Sequence, residues 1–264
     1  MPIDASAQPD VWVVRAGVVP YEQARLAQRR LEEARIAREV PDVLLLLQHP
    51  PVYTRGRRSS TDGLPMGEEW YRERGIEIRD TDRGGRVTYH GPGQLVGYPI
   101  VSLKPYGDDI HDYIRRLERT VIDALAAWGI EAGLVPGLTG VWTGGARSRA
   151  PHPEGTGLPV PEAEKIGSIG VHVNRSVTTH GFAINVNNDL EPFEWIVPCG
   201  IESCRMSSLA RELGTEQDLD AFTSTVSSRF GEVYGRVPVG VGLDELAERV
   251  PGLSELTEPA AALR

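Results

Sequence analysis

Lysine is almost absent from this chain of 264 residues: Lys104 and Lys165 stand alone among many arginines. Arginine stays protonated, whereas a partly buried lysine can give up its proton and act as a base, so Lys165, placed before a run of small residues, is marked for chemistry. Cysteine is equally scarce, limited to Cys199 and Cys204. Two thiols so close in a chain this long make no disulfide framework, and the expectation is a reducing, cytoplasmic setting with thiols available to react. Long apolar runs are missing. The longest, Val43 to Leu47, is far below the roughly 20 residues of a membrane span. Met1-Pro2-Ile3-Asp4 lacks the basic-then-apolar pattern of a secretory signal. Positive charge is in deficit, and a net charge of -9 argues against a nucleic-acid partner, which would need a basic face. The histidines show no HExxH-type spacing and the cysteines no CxxC pair, so no metal is expected.

What is present predicts an α+β (mixed α/β) chain. Residues 1–10 read as a disordered lead and 11–264 as a single catalytic domain, since strands and helices mix without regular alternation. Tyr21 to Glu39, free of glycine and ended by Pro41, reads as a helix. Val43 to Leu47 reads as a strand covered on both faces. Ile76 to Ile78, Gln94 to Leu103, Val141 to Thr143, Ile166 to Val173 and Gly181 to Val186 read as further strands. Ile110, Ile114, Leu117, Val121 and Leu125 recur at helical spacing between Asp108 and Trp128, with Gly129 as the stop. Leu209, Leu219 to Tyr234 and Leu243 to Val250 point to helices near the end. Gly144 to Glu164, rich in Gly, Pro, Ala and Ser, reads as a mobile insertion ending just before Lys165, which leaves a lid role open.

Chemistry concentrates in a few segments. Arg83 to Gln94 holds four glycines and a proline that let a backbone approach a ligand and expose N–H groups, with Thr88, Tyr89, His90 and Gln94 as polar tips. A plain glycine-rich hairpin would look the same, and the segment fits neither the Rossmann nor the phosphate-loop spacing. Cys199 lies between Pro198 and Gly200, a rigid turn able to present a thiol, although a lone cysteine is more often a small buried hydrophobe. Its thiolate needs a basic neighbour, for which Lys165 and His90 compete. Cys204 lacks that framing and reads as structural. His49 and His180 each abut a strand candidate and either line a pocket or satisfy loop backbone. Arg55-Gly56-Arg57-Arg58, with Arg83 and Arg86, forms either a local positive patch or solvated loop charge.

Taken together, these segments resemble the octanoyltransferases of lipoate biosynthesis, the lipoyl(octanoyl) transferase family related to lipoate and biotin protein ligases. The resemblance is carried by His49-Pro50-Pro51-Val52-Tyr53-Thr54-Arg55-Gly56, Arg83 to Gln94, Lys165-Ile166 with Ser168-Ile169-Gly170, His180 to Asn185, and Pro198-Cys199-Gly200. They are collinear across residues 49 to 200. The chain departs from the family in its long Gly144–Glu164 stretch and in His172, where an arginine or lysine is expected.

That resemblance implies a mixed β-sheet flanked by helices, as in the biotin and lipoate protein ligases. It implies a Cys199–Lys165 dyad that moves an octanoyl group from an acyl carrier protein thioester through a Cys199 acyl-enzyme. The acceptors would be lysines on lipoyl domains of 2-oxoacid dehydrogenase complexes and on the glycine cleavage H protein. Arg83, Gly84, Gly85, Arg86, Val87, Thr88, Tyr89, His90, Ser168, Ile169, Gly170, Gly181, Phe182 and Ala183 would line the acyl pocket. A thioester is already activated, so no cofactor, ATP included, is expected. Both partners being generally acidic, the Arg55–Arg58 and Arg83–Arg86 clusters are the expected docking face. An ATP-dependent lipoate- or biotin-type ligase is the alternative on the same fold, with a non-catalytic acyl-binding protein and a thioesterase behind it.

Overall fold

The computed structural model describes residues 10–59, 63–144, 163–196, 204–253 and 256. In chain order the elements are β1 (Asp10–Val18), α1 (Tyr21–Ala37), β2 (Asp42–Gln48), β3 (Val52–Arg55), α2 (Glu68–Arg72), β4 (Glu77–Asp80), β5 (Val87–His90), β6 (Gln94–Ile100), α3 (Ile110–Ala127), β7 (Val141–Thr143), β8 (Glu164–Asn174), β9 (Val177–Asn185), β10 (Arg205–Met206), α4 (Leu209–Leu213), α5 (Leu219–Tyr234), β11 (Val237–Gly240) and α6 (Leu243–Arg249). Among the described residues, one sheet runs in the order β10-β8-β9-β6-β2-β1-β11, with β7 added beside β8, and a smaller sheet runs β4-β3-β5. β1 lies parallel to β2 and β11, whereas β6, β9 and β8 run antiparallel in turn, so the sheet is mixed.

Helices cover both faces of the large sheet. On one face Leu117, Val121 and Leu125 of α3 and Phe222, Val226 and Phe230 of α5 pack on Leu44, Leu46, Ile166 and Ile184. On the other, Ala24, Ala27 and Leu31 of α1 and Leu246 of α6 meet Leu45, Leu47, Val96 and Ile100. Successive leucines of β2 therefore feed opposite cores, which is why that segment reads as an unbroken apolar run. Each fully buried leucine contributes about 1.5–3 kcal/mol to burial. The small sheet carries an aromatic cluster of its own, with Tyr53, Tyr71, Tyr89 and Phe193 packed together.

Several boundaries shift from the sequence reading. Asp10 is not part of a disordered lead: it opens β1, paired with Val237 of β11. α1 stops at Ala37, where Arg38 takes a left-handed conformation with φ 63°. The strand expected over Gln94–Leu103 ends at Ile100, and Lys104–Tyr106 forms a short 3-10 turn. α3 starts at a true cap, since Asp109 accepts hydrogen bonds from the backbone N–H groups of His111 and Asp112. The hairpin reading of Arg83 to Gln94 is replaced by two strands in different sheets: β5 pairs with β3, and β6 with β2 and β9. Glu164 and Lys165 lie inside β8 and His180 inside β9, rather than just outside these strands. The rest of the expected insertion, 145–162, falls outside the described residues.

Candidate active site

Lys165 is the second residue of β8. It is held between two neighbours, with Trp142 of β7 on one side and Met206 of β10 on the other. Its carbonyl accepts a 2.9 Å hydrogen bond from the N–H of Ser207. The residue is only 3% exposed. Its Nζ lies 5.3 Å from the centre of the Trp142 ring. Gly140 faces the same side chain. At φ 124°, a Cβ there would sit 2.7 Å from Lys165 Cε, 3.2 Å from Nζ and 2.6 Å from the Gly167 carbonyl oxygen, so only glycine lets the backbone come this close. The Gly140 N–H donates to Glu118 Oε1 at 3.0 Å, and Glu118 Oε2 accepts from Arg115 at 2.6 Å. A buried carboxylate on α3 thus fixes the backbone against which the amine rests.

Two cavities meet at Lys165. The narrower, a slot of about 550 Å³ counting its open mouth, reaches from Lys165 between the small sheet and β8–β9. Arg83, Gly85, Arg86, Val87, Thr88 and His90 line it from the β5 side, and Ser168, Ile169 and Gly170 from β8. His180, Gly181, Phe182 and Ala183 contribute from β9. Three expected pocket residues lie elsewhere. Tyr89 points into the aromatic cluster of the small sheet, because alternation along β5 turns it away from Thr88 and His90. His49 is wholly buried behind the slot wall, and Gly84 faces the second cavity. Conversely, Tyr21, Val96 and Tyr98 line the slot and were not singled out from sequence. For Val96 and Tyr98 the period-2 signal was present in β6.

Several polar side chains around the slot are hydrogen-bonded within the protein. His49 Nδ1–H donates to the Val19 carbonyl at 2.7 Å, which leaves Nε2 to accept from the Tyr98 hydroxyl at 2.7 Å. His90 Nδ1–H donates to Gln94 Oε1 at 2.7 Å, and the Gln94 amide donates to Asn185 Oδ1 at 2.9 Å. Arg83 donates to the Thr54 carbonyl at 2.6 Å and to its hydroxyl oxygen at 2.7 Å. His180 Nε2 lies 2.8 Å from Asp82 Oδ1. Burial pushes the His49 imidazolium down to about 4 and His90 well below the ordinary histidine value. Burial also lowers His180 despite its carboxylate neighbour, while the hydrogen bond from His180 holds Asp82 well below the usual carboxylate range. The imidazoles are therefore neutral near pH 7, and the slot presents a wall without net charge from them.

The second cavity is a wider groove of about 1160 Å³ counting its mouth. Ile110 and Ile114 of α3, Leu138 and Trp142 line it together with Lys165, and Arg58 and Arg86 border it. The two arginine clusters form one ridge, since Gly56, Arg57 and Arg58 donate backbone hydrogen bonds to the carbonyls of Arg86, Arg83 and Gly85. Not all of that ridge is available to a partner. Arg55 is ion-paired to Asp80 and Glu68, and Arg83 is buried against Thr54, so both leave the docking face expected of them. Arg57, Arg58 and Arg86 remain exposed.

Cys199 lies outside the described residues. The chain on either side is described: Ile196 joins the aromatic cluster, and Cys204, half-buried, packs against it and against the Trp142 group. Among the described residues, no set of His, Cys, Asp and Glu side chains is arranged to hold a metal ion, and no helix is long and apolar enough to cross a membrane.

Residues 20–231 match the lipoyl protein ligase A/B catalytic domain family. An octanoyltransferase of Rubrobacter xylanophilus is 45% identical over 221 residues, covering 83% of this chain and 91% of that protein. An octanoyltransferase of Myxococcus xanthus is 42% identical over 224 residues, covering 85% of this chain but 59% of that longer protein. The chain belongs to the octanoyltransferase family of lipoate biosynthesis. Its fold extends further: a bi-partite lipoate protein ligase from Thermoplasma acidophilum superimposes with a TM-score of 0.65 at 16% identity, covering 94% of this chain and 92% of that one. The mixed sheet between helices is thus shared with the lipoate protein ligases, as the resemblance implied.

Proposed function

We propose that this octanoyltransferase works through a Cys199 acyl-enzyme, with Lys165 as the acid and base. The Cys199 thiol gives its proton to the Lys165 amine, and the thiolate attacks the carbonyl carbon of an octanoyl thioester carried by acyl carrier protein. The carrier's sulfur leaves and takes the proton from Lys165, so one thioester is exchanged for another. The amine of a lipoyl-domain lysine then attacks the Cys199 thioester. Lys165 takes the proton of that nitrogen and returns it to the departing cysteine sulfur, and amide formation drives the second half forward.

The observation that carries this reading is the position of Lys165, buried in β8 at the meeting point of a narrow slot and an open groove. A thioester spanning that point would have its acyl chain on one side and its thiol-bearing half on the other. The described chain also resumes after residue 203 beside this lysine, with Arg205 and Met206 paired to Glu164 and Lys165. A slot with uncharged, self-bonded imidazoles suits a saturated chain, each buried methylene contributing about 0.8 kcal/mol.

Intact mass spectrometry after mixing the protein with octanoyl-carrier protein tests the reading. An octanoyl adduct that maps to Cys199 and disappears in Cys199→Ser is expected. Full turnover by Cys199→Ser, or transfer that requires ATP, overturns it and favours a ligase of the kind sharing this fold.

A further inference from the structure

The groove on the α3 side of Lys165 has no role in holding an acyl chain, because the slot already supplies one. Its chemistry is different from that of the slot. Ile110, 37% exposed, and Ile114 give an apolar lining at the start of α3, whereas the rim carries the guanidinium groups of Arg58 and Arg86. Among the described residues neither arginine has a carboxylate partner, although Arg55, three positions before Arg58, engages two. The rim is also rigid. The N–H of Arg58 is bonded to the Gly85 carbonyl at 3.0 Å and that of Gly56 to the Arg86 carbonyl at 3.4 Å, which fixes the two arginines side by side. Paired, exposed guanidiniums on a fixed backbone suit a phosphate, to which arginine donates in bidentate geometry.

We propose that this groove binds the phosphopantetheine arm of the acyl donor, with Arg58 and Arg86 on its phosphate and Ile110 and Ile114 against its alkyl-amide chain. This deepens the transferase reading and rests on it. A donor seated with its acyl chain in the slot and its thioester at Lys165 places the thiol-bearing half in the groove, and the anionic end of that half then meets the arginines. The acceptor lysine, which has no phosphate, enters the same mouth afterwards without using the arginines. Donor and acceptor are thereby told apart at one entrance.

The test compares S-octanoyl-4′-phosphopantetheine with S-octanoyl-pantetheine, which lacks only the phosphate, as donors to an apo lipoyl domain. In the unaltered protein kcat/KM for the phosphorylated donor is expected to exceed that for the other by about tenfold or more, and Arg58→Ala and Arg86→Ala are each expected to cut that ratio by roughly threefold to tenfold. The ratio in the unaltered protein needs no variant and so stands apart from any effect on folding. A ratio near one, or a ratio that both variants retain, overturns the assignment while leaving the transferase reading intact. Failure of the unaltered protein to transfer octanoyl from either donor also overturns the assignment, and failure with octanoyl-carrier protein besides overturns the transferase reading.

Discussion

The slot and the groove share Lys165 but treat their polar residues in opposite ways. In the slot His90, His180 and Arg83, and behind its wall His49, are each hydrogen-bonded to another group of the protein. In the groove, the guanidiniums of Arg58 and of Arg86, which also borders the slot, have no carboxylate partner among the described residues. A buried polar group left unpaired costs about 1–3 kcal/mol, so the slot's polar side chains are committed to shaping its wall. Exposed arginines carry no such obligation and are available to a ligand. Residue type alone therefore misassigns roles here: an arginine at 83 is scaffold, whereas one at 86 is exposed.

The sharpest way to break the picture is at the shared point. Lys165→Arg replaces the amine with a group that stays protonated and so removes a base, and roughly a 10²- to 10⁴-fold loss in the rate of acyl-enzyme formation is expected in single-turnover assays. If the arginine variant keeps its rate, charge rather than proton transfer is the function of this position. Gly140→Ala tests the positioning of the same amine. Its Cβ would overlap Lys165 Cε and the Gly167 carbonyl, at a φ of 124° that favours glycine. A stability loss of about 1–3 kcal/mol in denaturant titration, with a fall in kcat at unchanged KM, is the expected outcome.

Acid should weaken the slot side of the molecule in particular. His49 is neutral when folded, with its value lowered to about 4, but binds a proton below about 6.5 when unfolded. The unfolded state then holds more protons between these limits, so the stability due to His49 is complete above pH 6.5 and is lost as the pH falls toward 4. At full loss the contribution is about 3 kcal/mol, and His90 acts in the same direction. Urea titrations from pH 7 to 4 should show this slope, and His49→Gln should flatten it. An unchanged slope in that variant would assign the acid sensitivity elsewhere.

How much of this was legible beforehand depended on whether a signal was local. β2, α3 and α5 announced themselves because apolar spacing reports burial on one or two faces. The same stripe in α3 misled slightly: Ile110 and Ile114 continue the helical pattern of Leu117 and Val121, yet Ile114 only flanks the core and both line the groove. β1, β3, β5, β10 and β11 were missed: all but β1 are four residues or fewer, too short to show a period, and they owe their pairing to distant partners, as Asp10 of β1 does to Val237. In the site, glycine-rich segments and the rare lysine stood out. Tyr21 and Tyr98 did not, since nothing local tells a slot-lining tyrosine from a core one. The burial of Arg83 was equally hidden, because its partner Thr54 lies on another strand.

The smallest expected effect separates two adjacent charges. On sequence grounds Arg57 and Arg58 are equivalent members of the expected docking face. The structure distinguishes them: both are exposed, but Arg58 lines the groove and Arg57 does not. Arg57→Glu should therefore act only through the long-range field, slowing association with the acidic carrier by about twofold and losing even that in high salt. Arg58→Glu should also raise KM for the phosphorylated small donor, at low and high salt alike. Steady-state kinetics of the two variants at two ionic strengths decide the matter. Equal behaviour would mean that the ridge acts as a diffuse positive surface, and the contrast between an inert slot and a ligand-reading groove would have to be abandoned.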